Sequence, residues 1–397
     1  MLADENNGKR IAWLIAGDEI AGVAQAVRGL TVAVRPLGIE PIIIAFREGP
    51  FCDILRSLGF GIHDMNVEPL PVLFGGMSTR IRLQLQIQRS STAIRPRLAA
   101  MLRKLEVKGV HVVWRNIMPL AAMAARDADI PCFWEMSNIM GHYPFAINRK
   151  ITQHTLRKWN VTALANSRYT AATLGDDPVK PIVMYLGADE QRFDPDRVDA
   201  IKRTEIGIPA AAINLGIFAR IKPAKGQARI LEAMAQLPPQ YANTHLLLLG
   251  GPNQGGFADE LRALAKRLGL AERLHILGNM PDPERYYEAI DVAINARIDP
   301  EPFGLSVVEA MMMGKPVLVH SLGGPAETVI DGQTGWHVHE PTVEGFKAGL
   351  LRALGEREKW AAMGAAGRQR ALEQFSLSRQ AKQYVDIVRH RLGKPAL

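Results

Sequence analysis

Short apolar runs rich in β-branched and aliphatic residues recur along the chain, separated by longer stretches in which apolar and polar positions mix. In the first half the runs are residues 10–16, 41–46, 110–114, 131–135, 161–166 and 181–185. Between them lie helix-length stretches such as 23–37 and 81–105. Strand-length runs alternating with helix-length stretches are the rhythm of parallel βαβ units, so the first half predicts one doubly wound sheet.

A polar, proline-bearing passage at 187–209 interrupts the rhythm and predicts a linker. The alternation then restarts with runs at 213–219, 244–249, 273–277, 291–296, 316–320 and 335–338. The expected organisation is an N-terminal Rossmann-like domain over 1–190, a linker over 191–210 and a second Rossmann-like domain over 211–375. A final helix over 376–397 is expected to pack back on the first domain. At 397 residues the chain exceeds the size at which one hydrophobic core stops growing, which agrees with two domains. The fold class expected is α/β, two doubly wound parallel-sheet domains facing across a cleft, with ligands at the carboxyl ends of the strands.

Composition changes this picture little. Hydrophobic residues at 47% and charged residues at 22% are ordinary globular values. The hydrophilic start does not resemble a secretory signal, and every apolar run falls well short of the ~18 residues of a spanning helix, so a cytoplasmic protein is expected. Cys52 and Cys132 stand far apart without metal-ligand spacing, which predicts two buried reduced thiols and no metal site. The net charge of +8 is uneven: residues 78–170 carry fifteen Lys/Arg against four acids. A basic face suits an anionic membrane surface, an anionic acceptor or simple solvation. Nucleic acid is not expected as a partner, because no recognition motif accompanies the charge.

The most informative stretch is Glu301-Pro-Phe-Gly-Leu-Ser-Val-Val-Glu309-Ala-Met-Met-Met-Gly-Lys-Pro-Val, a loop running into a helix after a strand. Gly304 permits the turn. The free N–H groups around Leu305 and Ser306 form a helix start suited to an anion such as phosphate. Ser306 and Glu309 share one helical face. A carboxylate beside a phosphate-binding turn can accept hydrogen bonds from vicinal hydroxyls, so Glu309 fits ribose and Glu301 a second polyhydroxyl group such as a transferred sugar, although taken alone two carboxylates eight apart read better as a helix-cap acid and a solvated helix glutamate.

The whole run resembles the donor-site motif of family 4 retaining glycosyltransferases, which have the GT-B fold. The resemblance continues in Phe218-Ala-Arg220-Ile-Lys-Pro-Ala-Lys225-Gly226, where it implies that Arg220 and Lys225 hold the donor diphosphate. Two fixed cations there would stabilise charge on the departing nucleoside diphosphate without a metal. By the same resemblance Glu301, Arg220 and Lys225 are the catalytic set, and Glu309, Phe303, Gly304, Leu305 and Ser306 are donor-binding. Leu277-Gly278-Asn279-Met280 is similar to the turn that receives the nucleobase, and Gly323-Gly324 to the glycine pair after the next strand. The donor implied is a UDP-, GDP- or ADP-sugar, with no other cofactor. The acceptor implied is a glycan, lipid-linked saccharide or small molecule.

The first half departs from the family pattern. After the first strand the loop reads Ala-Gly-Asp-Glu-Ile-Ala-Gly22-Val, in which Gly22 best matches the glycine that approaches the donor phosphate. Glu19 stands where a dinucleotide fingerprint needs glycine, and the Asp18-Glu19 pair is expected to repel a pyrophosphate, which disfavours an NAD enzyme. Where relatives carry a sugar-contacting histidine this chain has Ser137, so that the contact falls to Ser137, Asn138 or His142, or is not made at all. The acceptor loops are sought in 67–97, which includes Gly75-Gly76 and the alternating Ile81, Leu83, Leu85 and Ile87. That period of two speaks against an amphipathic membrane helix. A GT-B-fold sugar-nucleotide epimerase and a nucleotide-sugar-binding protein without activity are the competing functions.

Overall fold

The computed structural model describes residues 9–19, 21–71, 77–140, 147–175, 179–251 and 255–393. His142, Gly75 and Gly76 lie outside the described residues. The chain divides into two units, residues 1–185 with 377–397, and residues 186–376.

Among the described residues the first unit holds seven strands: β1 (Lys9–Ile15), β2 (Ile39–Ala45), β3 (Ile62–Asp64), β4 (Gly109–Val112), β5 (Cys132–Met136), β6 (Thr162–Ala165) and β7 (Ile182–Val183). They form one sheet in the order β3-β2-β1-β4-β5-β6-β7, with parallel neighbours throughout. Both faces are buried, which is why the strands read as continuous apolar runs. Along β1, Ala12 and Leu14 point to one core, while Ile11, Trp13 and Ile15 point to the other.

The first of these cores takes the helices Met77–Lys104 and Met118–Asp127. The period-two pattern at 81–87 is not expressed: the segment is helical. Leu83, Ile87, Ile94, Leu98 and Leu102 form its buried stripe at spacings of about one or two turns. Leu85 is left half exposed at 50%.

The opposite core takes the helix Ala21–Val34 and the last helix, Leu377–Leu392. Ala381, Tyr384, Val385 and Val388 of that last helix are all buried there with Val27 and Leu30. The Tyr384 ring lies 5.4 Å from Trp13 and 5.3 Å from His111. Arg389 and Gln383 tie the same helix to the backbone carbonyls of Leu37 and Val183.

Among its described residues the second unit has six strands: β8 (Ile213–Phe218), β9 (Thr244–Leu249), β10 (Leu274–Gly278), β11 (Val292–Asn295), β12 (Val317–His320) and β13 (Gly335–Val338). They are again all parallel, in the order β10-β9-β8-β11-β12-β13. The polar passage expected as a linker is laced to this unit. Arg192 pairs with Glu284 at 2.8 Å, Arg203 with Asp291 at 3.1 Å and Arg368 with Asp194 at 2.8 Å. Cys52 and Cys132 are buried and unpaired, and burial pushes the Cys132 thiol up to about 12.

Because Tyr384 is fully buried against aromatic neighbours, Tyr384→Ala is expected to cost about 3–5 kcal/mol in chemical denaturation. Its hydroxyl finds no hydrogen-bond partner among the described residues, so Tyr384→Phe should be neutral or stabilising. A loss below about 1 kcal/mol for the alanine variant would show that the last helix does not belong to this core.

Candidate functional site

In the second unit, strand order reverses between β8 and β11, whose following connections lead to opposite sides of the sheet order. Open parallel sheets bind ligands in the crevice beyond the carboxyl ends of the two strands at such a reversal. The loops that leave β8 and β11 are the ones carrying Arg220, Lys225 and Glu301.

Glycines let these loops meet at close range. After β8, residues Pro223–Lys225 form a single 3₁₀ turn, and Gly226 follows in the left-handed region at φ 73°. A Cβ at Gly226 would fall 2.0 Å from the Ala296 carbonyl oxygen just past β11. The Ile298 N–H donates to the Ala224 carbonyl at 3.1 Å, locking the two loops together. From the other side, Gly323 and Gly324 take the Glu301 segment on their bare backbones. A Cβ at Gly323 would lie 2.1 Å from the Glu301 oxygen, and one at Gly324 2.4 Å from the Phe303 Cα. The Gly324 N–H donates to the Glu301 carbonyl at 2.8 Å.

The result is a carboxylate between two cations. Lys225 Nζ lies 2.6 Å from Glu301 Oε2, and Arg297 Nη1 lies 2.9 Å from Glu301 Oε1. The Arg297 guanidinium also grips Asp299 with two bonds, at 2.6 and 3.0 Å. Lys222 joins the group, its pKa lowered by burial and then by the cations Arg220, Arg297 and Lys225. Four cations stand near two acids; among the described residues no carboxylate hydrogen-bonds to the side chain of Arg220 or Lys222, and Asp299 acts on Lys222 only through its charge. Such a surplus beside a helix start favours an anion. The helix is Leu305–Met312, entered through Gly304 at φ 87°. Leu305 and Ser306 occupy its first turn.

Glu309 lies on the same helix, with Oε2 accepting from the Tyr287 hydroxyl at 3.2 Å. Tyr287 is fully buried and stacked on Phe218 at 3.9 Å. Burial raises the Glu309 carboxyl to about 7, outweighing the Tyr287 hydrogen bond, which favours the charged form. Phe303 is buried, its ring edge-on to Phe375 at 6.0 Å, so its side chain packs rather than facing a ligand. Asn279 is exposed and Met280 half-buried, just beyond β10. Among the described residues no hydrogen bond or ion pair joins either to the Lys225–Glu301 pair.

In the first unit, order reverses between β1 and β4. Gly22 is exposed at the start of the helix that follows β1. Glu19 does not face outward as a repelling charge. It is buried, accepts from the N–H groups of Ala16 at 2.6 Å and Gly17 at 2.9 Å, and accepts from Trp114 Nε1 at 2.9 Å. Its anion thus occupies the loop donors that a phosphate would need. Ser137 and Asn138 follow β5, where Asn166 Nδ2 donates to the Ser137 carbonyl at 3.3 Å.

Reading the sequence missed Arg297, Asp299 and Tyr287. The first two stand four and two residues before Glu301, close enough that the loop itself was a signal. Tyr287 lies in a segment that offers none.

Residues 200–370 match the family model Glycosyl transferases group 1. The chain is similar to the GDP-mannose-dependent alpha-(1-6)-phosphatidylinositol monomannoside mannosyltransferase of Mycolicibacterium smegmatis, 29% identical over 52% of this chain and 55% of that protein. It is also similar to the D-inositol 3-phosphate glycosyltransferase of Mycolicibacterium gilvum, 37% identical over 42% of this chain and 37% of that protein. The chain thus spans about half the length, or less, of these relatives. Among solved structures, a glycosyltransferase from Rickettsia africae superposes with a TM-score of 0.82 at 21% identity, covering 98% of this chain and all of that one, 100%. Anabaena HepE in complex with UDP and glucose superposes with a TM-score of 0.76 at 21% identity, covering 96% and 99%. The fold is GT-B, with two Rossmann-like parallel-sheet units.

The buried Glu309 carboxyl makes the stability of the fold depend on pH. Its native pKa lies above the ordinary 4.5, so the stability from this group is complete below about 4.5 and is lost as pH rises through about 7. Glu309→Gln should therefore gain on the parent protein between pH 5 and pH 8, by up to about 3 kcal/mol in urea midpoints converted with a common slope. A difference that stays flat with pH would contradict the burial of this carboxyl.

Proposed function

We propose, on the premise that residues 200–370 match the group 1 glycosyltransferases, that this protein transfers a sugar from a nucleoside-diphosphate sugar to an acceptor hydroxyl with retention of configuration. The observation that carries this reading is the Lys225–Glu301–Arg297 constellation at the strand-order reversal, beside the Leu305 helix start. Arg220, Lys222 and Lys225 are cations for a diphosphate. Their charge stabilises the anion that forms as the glycosidic oxygen of the donor leaves, which is where electrostatic catalysis is largest. Glu301 accepts from hydroxyls of the transferred sugar, and Glu309 accepts from the ribose hydroxyls.

In this reading the acceptor hydroxyl attacks from the face that the diphosphate leaves, through an oxocarbenium-like state, and a phosphate oxygen takes its proton. No side-chain nucleophile takes part. Both relatives carry transferase names, which favours transfer over epimerisation. The acceptor is proposed to be a glycan, lipid-linked saccharide or small hydroxylated molecule bound by loops of the first unit, with Ser137 and Asn138 as candidates.

A panel of UDP, GDP, ADP and their sugars tests donor binding, since a ligand held only by the folded form raises the melting temperature by mass action. One base should stand out. Lys225→Ala and Glu301→Gln should each lower turnover with that donor by roughly 100-fold or more, and Glu309→Ala should act chiefly on donor affinity. Near-parent rates in purified Lys225→Ala protein would remove the phosphate role.

No helix among the described residues is long and apolar enough to cross a membrane. Arg82, Arg89, Arg103 and Lys104 are exposed along the helix Met77–Lys104, and we propose that this basic face holds the protein to an anionic cytoplasmic membrane surface. Flotation with vesicles containing anionic lipid should recover the protein at low salt and release it as salt rises. Absence from both anionic and neutral vesicles would overturn this attachment.

A further inference from the structure

Glu301 is only 13% exposed, and each of its oxygens is taken by a different cation. The two cations are held very differently. Lys225 reaches Glu301 with one ammonium on a flexible stem, from a turn whose proposed work is on the diphosphate. A doubly charged diphosphate competes for that ammonium against a single carboxylate, and a point charge on a mobile stem can move between them.

Arg297 has no such freedom. Its guanidinium is forked on Asp299 by two near-parallel bonds, a geometry that only arginine offers to a carboxylate. Its backbone is fixed on both sides: the Arg297 N–H donates to Asn295 Oδ1 at 3.3 Å, and His320 Nδ1 donates to the Arg297 carbonyl at 2.7 Å. The Arg297 side chain is 18% exposed. The Arg297 hydrogen bond also holds the Asp299 carboxyl below its ordinary range, so the fork persists as an ion pair at neutral pH.

We propose that Arg297 is a positioning residue: braced on Asp299, it holds the Glu301 carboxylate at the transferred sugar while Lys225 is drawn onto the donor diphosphate. The proposal rests on the function given above. It assigns Arg297 no contact with phosphate, because its charge is already met by two carboxylates. It also assigns Asp299 a place in the site, as the brace that keeps the guanidinium from turning toward the incoming anion.

The test separates binding of the diphosphate from turnover of the sugar. Affinity for UDP, GDP and ADP is measured by calorimetry, and kcat and KM with the matching nucleotide sugar, for the parent protein and for Arg297→Met, Arg297→Lys and Asp299→Asn. Arg297→Met should keep its nucleoside diphosphate affinity within about twofold while kcat falls by roughly 10- to 100-fold, the usual cost of misplacing a group at the reacting centre. Arg297→Lys should recover part of that kcat, and Asp299→Asn should lose part of it with the diphosphate affinity again unchanged. Should Arg297→Met not fold, the lysine and asparagine variants carry the same comparison.

An equal fall in diphosphate affinity would make Arg297 a phosphate ligand and overturn the proposal. So would a kcat within about twofold of the parent protein. If the parent binds none of the three nucleoside diphosphates, the functional reading falls and the proposal with it. A parent that binds and turns over, with Arg297→Met unaffected, sinks the proposal alone.

Discussion

The second unit depends on one close approach: two loops, leaving strands that adjoin at a reversal of sheet order, must touch backbone to backbone. Gly226 against Ala296 is the contact that allows it, and Gly323 against Glu301 brings in the turn after β12 from the other side, each at a separation no side chain could enter. Everything chemical at the site follows from that approach. It brings an ammonium from the loop after β8 against a carboxylate from the loop after β11. It also seats the Glu301 backbone on the turn after β12, where the Gly324 N–H donates to the Glu301 carbonyl and the Glu301 N–H donates to the Leu322 carbonyl.

Electrostatics then divides the site into two kinds of charge. Glu301 and Asp299 are met by Lys225 and Arg297, whereas among the described residues no carboxylate hydrogen-bonds to Arg220 or Lys222, and Asp299 acts on Lys222 only through its charge. Partly buried charges are tolerated when they are paired and hydrogen-bonded. The unmatched cations are instead a stored attraction for an anion, and the Leu305 helix start adds donors beside them. Glu309 is a third case, a carboxyl kept near its midpoint at neutral pH by burial and given one hydrogen bond by a tyrosine that is itself wholly enclosed. Its ionisation is therefore sensitive to any hydroxyl that arrives beside it.

The first unit answers the same strand-order reversal differently. There the loop donors after β1 are satisfied from within by Glu19, whose carboxylate also takes the Trp114 indole N–H. An acid at this position reads in sequence as repulsion toward phosphate. In the fold it is a buried acceptor that has already claimed the donors. Sign alone could not separate the two, because the difference lies in where the side chain turns.

The alternation of strands and helices was legible throughout, since parallel strands covered on both faces must be continuously apolar whatever surrounds them. The motif residues Arg220, Lys225, Glu301 and Glu309 were legible for a related reason: their spacing within loop and helix is local. What the sequence could not express was partnership across distance. The pattern at 81–87 suggested period two, yet packing on the sheet selected a helical stripe through Leu83 and Ile87 and left Leu85 outside. Tyr287 meets Glu309 only because the turn before β11 folds under the helix after it. The last helix lies in the core of the first unit although it follows the second in sequence. Arg297 stood beside the motif in plain view, but its bond to one oxygen of Glu301, with Lys225 on the other, exists only when two loops separated by some seventy residues are pressed together by glycine. Local periodicity and composition are properties of the chain, and they set the fold class and the positions of the chemistry. Which charges face one another is a property of close packing, and only the tertiary structure decides it.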